Sequence, residues 1–396
     1  MPALQIYDRR ERALVAVGDA VLTAAASIGR RFRRRIPPQD PRRILLLRME
    51  RIGDLLMVLP AIADLRASLP QAEIHLVVGC WNEEIARAIR GVDAVITIEP
   101  GWLARSGSGQ SFPSLLRAAA GWRSSRYDVA LNFEPDVRSN LMLAATRARW
   151  TAGYRSGGGG AVLDQALDYQ PTEHTSDNAR RLVASVFGPP PARHDGASLL
   201  AIPGANQQEA ERILTGARQP LIAMHVPGGR AVKQWEPDRF AHVARALAAA
   251  HGATIVLTGG PEDRQLVDWV RQAIPDGLAI DASRASGLLT VAALLQRSDL
   301  LITGDTGPMH LAAAIGTPIV AVFGPSDPRR YAPRGKHDRV IRVDLPCAPC
   351  NRIRLPPARC TGRTPECLAL LTPDRVLDAA VAILDECRGR VRPVPA

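Results

Sequence analysis

The residues best placed to do chemistry gather in Gly304-Asp305-Thr306-Gly307-Pro308-Met309-His310, between the apolar runs 300–303 and 318–323. The turn opens a short helix that closes at Gly316, which gives a strand, a turn, a helix and a strand in succession. Asp305 or Thr306 is placed to cap that helix. Pro308 falls in its first turn, where a missing N–H has no helical partner to lose. The helix start thus offers amides at the positive end of the helix dipole, which favours a phosphate or diphosphate by roughly 0.3–1 kcal/mol before hydrogen bonds are counted. His310, four residues past Thr306, shares that face. A bare carboxylate repels such an anion, so Asp305 is expected to cap the helix or hold loop amides and not to touch phosphate.

Three further strand ends carry candidates. Asp54 follows the first strand in Arg51-Ile52-Gly53-Asp54, where a carboxylate either accepts a proton from a sugar hydroxyl or caps the helix that follows. Gly228 and Gly229 let backbone approach a ligand closely, and Lys233 supplies a compact charge for a phosphate or else sits on a solvated turn. Lys233 and Lys336 are the only lysines in a chain with 50 basic residues. Glu262, in Leu257-Thr258-Gly259-Gly260-Pro261-Glu262-Asp263, either binds ribose hydroxyls or serves the first turn of the next helix. No GxGxxG motif accompanies these turns, which argues against a dinucleotide oxidoreductase. Cys347, Cys350, Cys360 and Cys367 have the density of a structural zinc or iron–sulfur site but not a common zinc spacing, so metal competes with buried or redox-labile thiols.

The elements that hold these turns alternate. Strands are expected at 44–48, 74–78, 94–98, 129–133 and 150–154, with helices at 55–68, 82–89, 114–123, 137–146 and 174–187. A Gly- and Ser-bearing loop spans 101–110 and a glycine run 157–160. After Gly188-Pro189-Pro190-Pro191 and a polar stretch to Gln207 the alternation restarts, with strands at 221–226 and 254–257 and helices at 237–251, 262–274 and 288–296. Alternation of this kind means parallel sheets. The expected fold is α/β, two doubly wound domains whose strand ends face a shared cleft. The boundaries read as a basic amphipathic extension over 1–40, an N-terminal domain over 41–195, a C-terminal domain over 205–372, and a last helix and tail over 373–396.

The chain of 396 residues carries a net charge of +11, with 46% hydrophobic and 4% aromatic residues. Its positive field suits phosphorylated ligands or an anionic membrane. Nucleic acid is not expected, for there is no stacking platform, zinc-finger spacing or basic recognition helix. The first residues are polar, with no cleavage site after an apolar core, so a cytoplasmic, thiol-reducing location is expected. The run 14–28 is too short for an unaided span, and Arg30-Arg31-Phe32-Arg33-Arg34-Arg35 follows it. The pair either lies on an anionic leaflet at the inner face of the cytoplasmic membrane or packs on its own protein. From Arg329 to Arg363 the tail reads as a cationic, proline-rich loop, ahead of a helix from 373 to 387.

Together, RMERIGDLLMVLPAIADLR, VPGG with KQW, LTGGPED and GDTGPMHLAAAIGTPIVAVFGPSDP resemble the heptosyltransferase family, glycosyltransferase family 9 of lipopolysaccharide core synthesis. The PCAPC segment also looks like one found in many members. The resemblance implies a GT-B fold with an acceptor domain followed by a nucleotide-sugar domain. It implies inverting transfer from a nucleotide-sugar, most often ADP-heptose, to a lipid-linked saccharide, with no cofactor and no divalent cation. Asp54 then becomes the general base, Lys233 and the Thr306 and Gly307 amides take the diphosphate, and Glu262 holds the ribose. The Pro-Gly-Gly loop before Lys233 departs from the hydroxyl-rich version of the best-known members, and the basic extension is not a family hallmark. The rival readings are a sugar-nucleotide epimerase of the same fold and a non-catalytic membrane-surface protein.

Overall fold

The computed structural model describes residues 4–5, 9–30, 36–104, 107–191 and 198–387. Arg31 to Arg35 of the basic cluster, two residues of the 101–110 loop, 192–197 of the inter-domain stretch and the end of the tail lie outside the described residues. The chain divides into two compact units, Met1–Asp195 and Gly196–Ala396.

The first unit holds β1 (Arg43–Leu47), β2 (Glu73–Gly79), β3 (Ala94–Ile98), β4 (Val129–Asn132), β5 (Trp150–Tyr154) and β6 (Gln165–Leu167). Every pair is parallel, in the order β3-β2-β1-β4-β5-β6. The second unit holds β7 (Leu221–His225), β8 (Thr254–Thr258), β9 (Ala279–Asp281), β10 (Leu300–Gly304), β11 (Ile319–Val322) and β12 (Arg339–Ile341). Its order, β12-β11-β10-β7-β8-β9, is the same winding repeated. In both sheets the order reverses beside the first strand, β1 or β7, and doubly wound sheets bind ligands outside the strand C-termini at that point. The central strands are buried on both faces: Ile44, Leu45, Leu46 and Leu47 have no exposed surface, nor have Leu300, Leu301 and Ile302. Such continuous apolar runs are what a parallel sheet covered by helices requires.

Departures from the sequence-based expectations have local causes. The helix expected over 55–68 is two helices, Ile52–Leu56 and Leu59–Ser68. Pro60 has no N–H to give Leu56, so the ladder breaks and Pro60 enters the first turn of a new helix. β6, β9 and β12 are absent from the sequence reading; each is three residues long, at a sheet edge, and too short to show a period. The tail is therefore not one loop, since β12 and the short helix Pro328–Tyr331 fall inside it. The polar stretch to Gln207 already enters the helix Gly204–Ile213.

The N-terminal helix, Arg9–Arg30, is held to the first unit along one edge. The Asp19 carboxylate accepts from the Gly159 amide at 2.7 Å, and Val15 lies against Gly158. Gly157 is obligatory in that loop, because an added Cβ would sit 1.7 Å from the Pro135 carbonyl oxygen. Leu14, Val17 and Val21 face outward, 75%, 68% and 64% exposed. Among the described residues no helix is long and apolar enough to cross a membrane.

Candidate active site

In the second unit the candidates converge on the ends of β7 and β10. β10 stops at Gly304, and the helix Gly307–Ile315 begins three residues later with Thr306 as its N-cap. No side chain caps this helix; the Thr306 hydroxyl pairs with that of Thr303 at 3.1 Å. The helix ends as expected at Gly316, in the left-handed region with φ 81°. His310 is buried on the first turn.

Asp305 does not cap. It stands one residue before the N-cap and turns toward the loop after β7, where Lys233 Nζ lies 3.0 Å from Oδ2 and also donates to the Asp305 carbonyl. Ser326 Oγ donates to the same Oδ2 at 2.5 Å, and His310 Nε2 lies 3.9 Å from Oδ1. Burial pushes the Asp305 carboxyl up, but Lys233, His310 and Ser326 outweigh it and hold it below the usual carboxylate range. Asp305 therefore remains charged at neutral pH and aims Lys233. The expectation that it holds the helix or loop amides is corrected accordingly.

The loop that carries Lys233 is built around Gly228, whose amide donates to Gln234 Oε1 at 2.7 Å. A Cβ at Gly228 would lie 2.7 Å from Gln234 Cα, so the glycine serves close approach of two backbone segments. Trp235, 1% exposed, anchors the loop in the core through packing on Phe240. His225, at the end of β7, hydrogen-bonds the Thr258 hydroxyl at 3.1 Å, and burial pushes its pKa down to about 4. Glu262 is exposed on the turn Pro261–Asp263. The capping task there falls to Asp263, which accepts from the Gly260 amide at 2.8 Å.

The four tail cysteines line one cavity of about 390 Å³. All are free thiols, and burial, reinforced by Cys350, Cys360 and Cys347, pushes the Cys367 thiol up to about 11. Among the described residues no three His, Cys, Asp or Glu side chains are arranged to hold a metal ion. The four thiols thus share one cavity.

In the first unit Asp54 lies in the helix Ile52–Leu56, after the end of β1. Its Oδ2 accepts a long 3.3 Å hydrogen bond from the Arg51 amide, and Oδ1 lies 3.4 Å from Arg48 Nη2. The side chain is 31% exposed, so one side faces protein charge and the other is open. Arg48, read from sequence only as the last strand residue, is 3% exposed and binds the Phe133 carbonyl at 2.7 Å, the Asp54 carbonyl at 3.1 Å and Glu50 Oε2 at 3.0 Å. Glu134, also missed, accepts from the Met49 and Glu50 amides; burial and then the Glu50 charge raise its carboxyl well above the usual range. The only signal for either residue was a charged side chain at the end of an apolar strand.

The chain matches the family model for glycosyltransferase family 9 (heptosyltransferase) over residues 116–356, more than half its length. It is 23% identical to the lipopolysaccharide core heptosyltransferase OpsX of Haemophilus influenzae, over 77% of this chain and 85% of that one. The crystal structure of a family 9 glycosyl transferase from Veillonella parvula superposes with a TM-score of 0.76, covering 89% of this chain and all of that one at 23% identity. The E. coli ADP-heptose LPS heptosyltransferase II gives a TM-score of 0.68, covering 87% of this chain and 99% of that one at 21% identity. Two parallel sheets of repeated winding and an uncapped helix start beside a half-buried lysine accord with that kinship: the chain belongs to glycosyltransferase family 9, the heptosyltransferases, and has the GT-B fold.

Proposed function

We propose that this glycosyltransferase moves a heptose from ADP-heptose to a lipid-linked saccharide of the lipopolysaccharide core, with inversion at the anomeric carbon. The observation that supports the donor reading best is the Lys233–Asp305–Ser326 cluster beside the helix start at Thr306 and Gly307. An ammonium has three donors. Two of those of Lys233 go to the carbonyl and carboxylate of Asp305, which leaves the third for a phosphate oxygen. Glu262 takes the ribose hydroxyls, and the close approach at Gly228 keeps the loop low enough for a diphosphate to lie on the amides.

In this reading Asp54 takes the proton of the acceptor hydroxyl while that oxygen bonds the anomeric carbon. The bond from that carbon to the β-phosphate oxygen breaks, and its electron pair leaves with ADP. Lys233 and the helix amides stabilise the charge that develops on the leaving group. The test is turnover of ADP-heptose with and without glycolipid from a strain lacking this gene. ADP release that requires the glycolipid, with a heptose mass added to it, is the expected result. Conversion of the sugar nucleotide without acceptor would mean an epimerase.

We further propose that the N-terminal helix rests on the cytoplasmic face of an anionic membrane. Asp19 and Val15 fix one edge to the body, which turns Leu14, Val17 and Val21 outward beside the exposed Arg10 and Arg12. The protein should sediment with phosphatidylglycerol vesicles and not with phosphatidylcholine vesicles. Changing Leu14, Val17 and Val21 together to serine should lower that binding at least about tenfold. Unchanged sedimentation of the triple variant would overturn the assignment.

A further inference from the structure

The arginine beneath the catalytic aspartate is built as part of the proton-accepting unit, an inference that rests on the reading of Asp54 as the base. Burying a guanidinium is costly unless it stays paired and hydrogen-bonded. Arg48 is 3% exposed, and its bonds run in three directions: to the carboxylate and carbonyl of Asp54, to Glu50, and to the Phe133 carbonyl just past β4. A guanidinium can span these partners because its donors are fixed in a planar fork, whereas an ammonium is a point charge. The Asp54 carboxylate is thereby held by Arg48 on Oδ1 and by the Arg51 amide on Oδ2, with its remaining lone pairs on the open side.

The charges also change in step. At rest Arg48 faces two nearby carboxylates, Asp54 and Glu50, with Glu134 and Tyr169 also close. Once Asp54 accepts the hydroxyl proton, Glu50 at 3.0 Å still balances the guanidinium, so the buried cation is never left without a counter-ion. Arg48, Asp54 and Glu50 together carry one excess negative charge at rest and none once Asp54 holds the proton. We propose that Arg48 is the positioning residue of the proton-transfer step, orienting Asp54 through its carboxylate and its carbonyl together, and that Glu50 compensates Arg48 while Asp54 holds the proton.

The experiment is steady-state transfer from ADP-heptose to glycolipid from the deletion strain, for Arg48→Met, Arg48→Lys, Glu50→Gln and Asp54→Asn, with thermal unfolding of each. Arg48→Met should lower kcat about 10–100-fold and leave the KM for ADP-heptose within twofold, since a misplaced base slows chemistry without touching donor binding. Arg48→Lys, which keeps the charge but not the fork, should still lose at least about fivefold in kcat. Glu50→Gln should lose about tenfold. In an Asp54→Asn background, Arg48→Met should cost no more than about twofold, because the residue it positions is already inactive. Equal losses in both backgrounds, or Arg48→Lys within twofold of the parent, would overturn the proposal. If Arg48→Met does not fold, Arg48→Lys and Glu50→Gln decide on the same criteria. An Asp54→Asn enzyme that keeps its activity would instead overturn the assignment of the base itself, a separate result.

Discussion

Replacing Asp54 by asparagine should leave a folded protein that binds ADP as tightly as the parent and transfers heptose about 10²–10⁴-fold more slowly. The choice of asparagine separates the two roles the position can have. Asparagine accepts a hydrogen bond at a helix start about as well as aspartate, so the contact with the Arg51 amide survives. That contact is 3.3 Å long in any case, and its loss would cost little. What asparagine cannot do is take a proton from the acceptor hydroxyl. A stability change within about 1 kcal/mol beside a large fall in kcat therefore assigns the base, whereas a transfer rate within tenfold of the parent would return Asp54 to a purely structural role. Isothermal titration with ADP and initial rates of ADP release measure the two quantities.

Part of this site could be read from the chain because its parts are local. The turn from Gly304 to His310 shows its glycines, its proline and its helix stop at Gly316 within thirteen residues, and the structure forms that helix at the expected place. The buried strands showed themselves as unbroken apolar runs, and the alternation of strands and helices was enough for two doubly wound sheets. Three of the four edge strands did not, since β6, β9 and β12 have three residues each, too few to show a period, and each bonds to a single neighbouring strand. Pairings across the sheet were hidden because the partners lie far apart in sequence. The bond from Lys233 to Asp305 spans 72 residues and that from Arg48 to Phe133 spans 85. A lysine in an arginine-rich chain hinted at the first, but nothing local showed that its partner would be the aspartate expected to cap. Asp19 is a similar case: in sequence it interrupts an apolar run, and in the folded unit it is the hydrogen bond that fixes the helix.

The Lys233–Asp305 pair carries the second large effect, and its two halves should fail differently. Lys233→Ala removes a charged donor from a phosphate and should raise the dissociation constant for ADP about 10–100-fold, in line with roughly 1.5–3 kcal/mol for a hydrogen bond to a charged group. It also leaves the Asp305 carboxylate, 12% exposed, without the ammonium, so this variant should lose stability too, offset in part by the bond from Ser326. Asp305→Ala leaves the ammonium of Lys233, only 19% exposed, without its counter-ion, and should destabilise the protein by about 3 kcal/mol, the low end for breaking a buried pair. The sign of the pH dependence follows from the depressed carboxyl of Asp305: its contribution is complete above the unfolded value near pH 4 and is lost as pH falls through the lower folded value. In the double variant no charge is stranded, so much of the stability lost in Asp305→Ala should return while ADP binding stays weak. Urea unfolding of the four proteins, with ADP titration of each, separates the outcomes. If Lys233→Ala binds ADP as the parent does, the lysine serves only to hold the loop, and the diphosphate must rest on the helix amides alone.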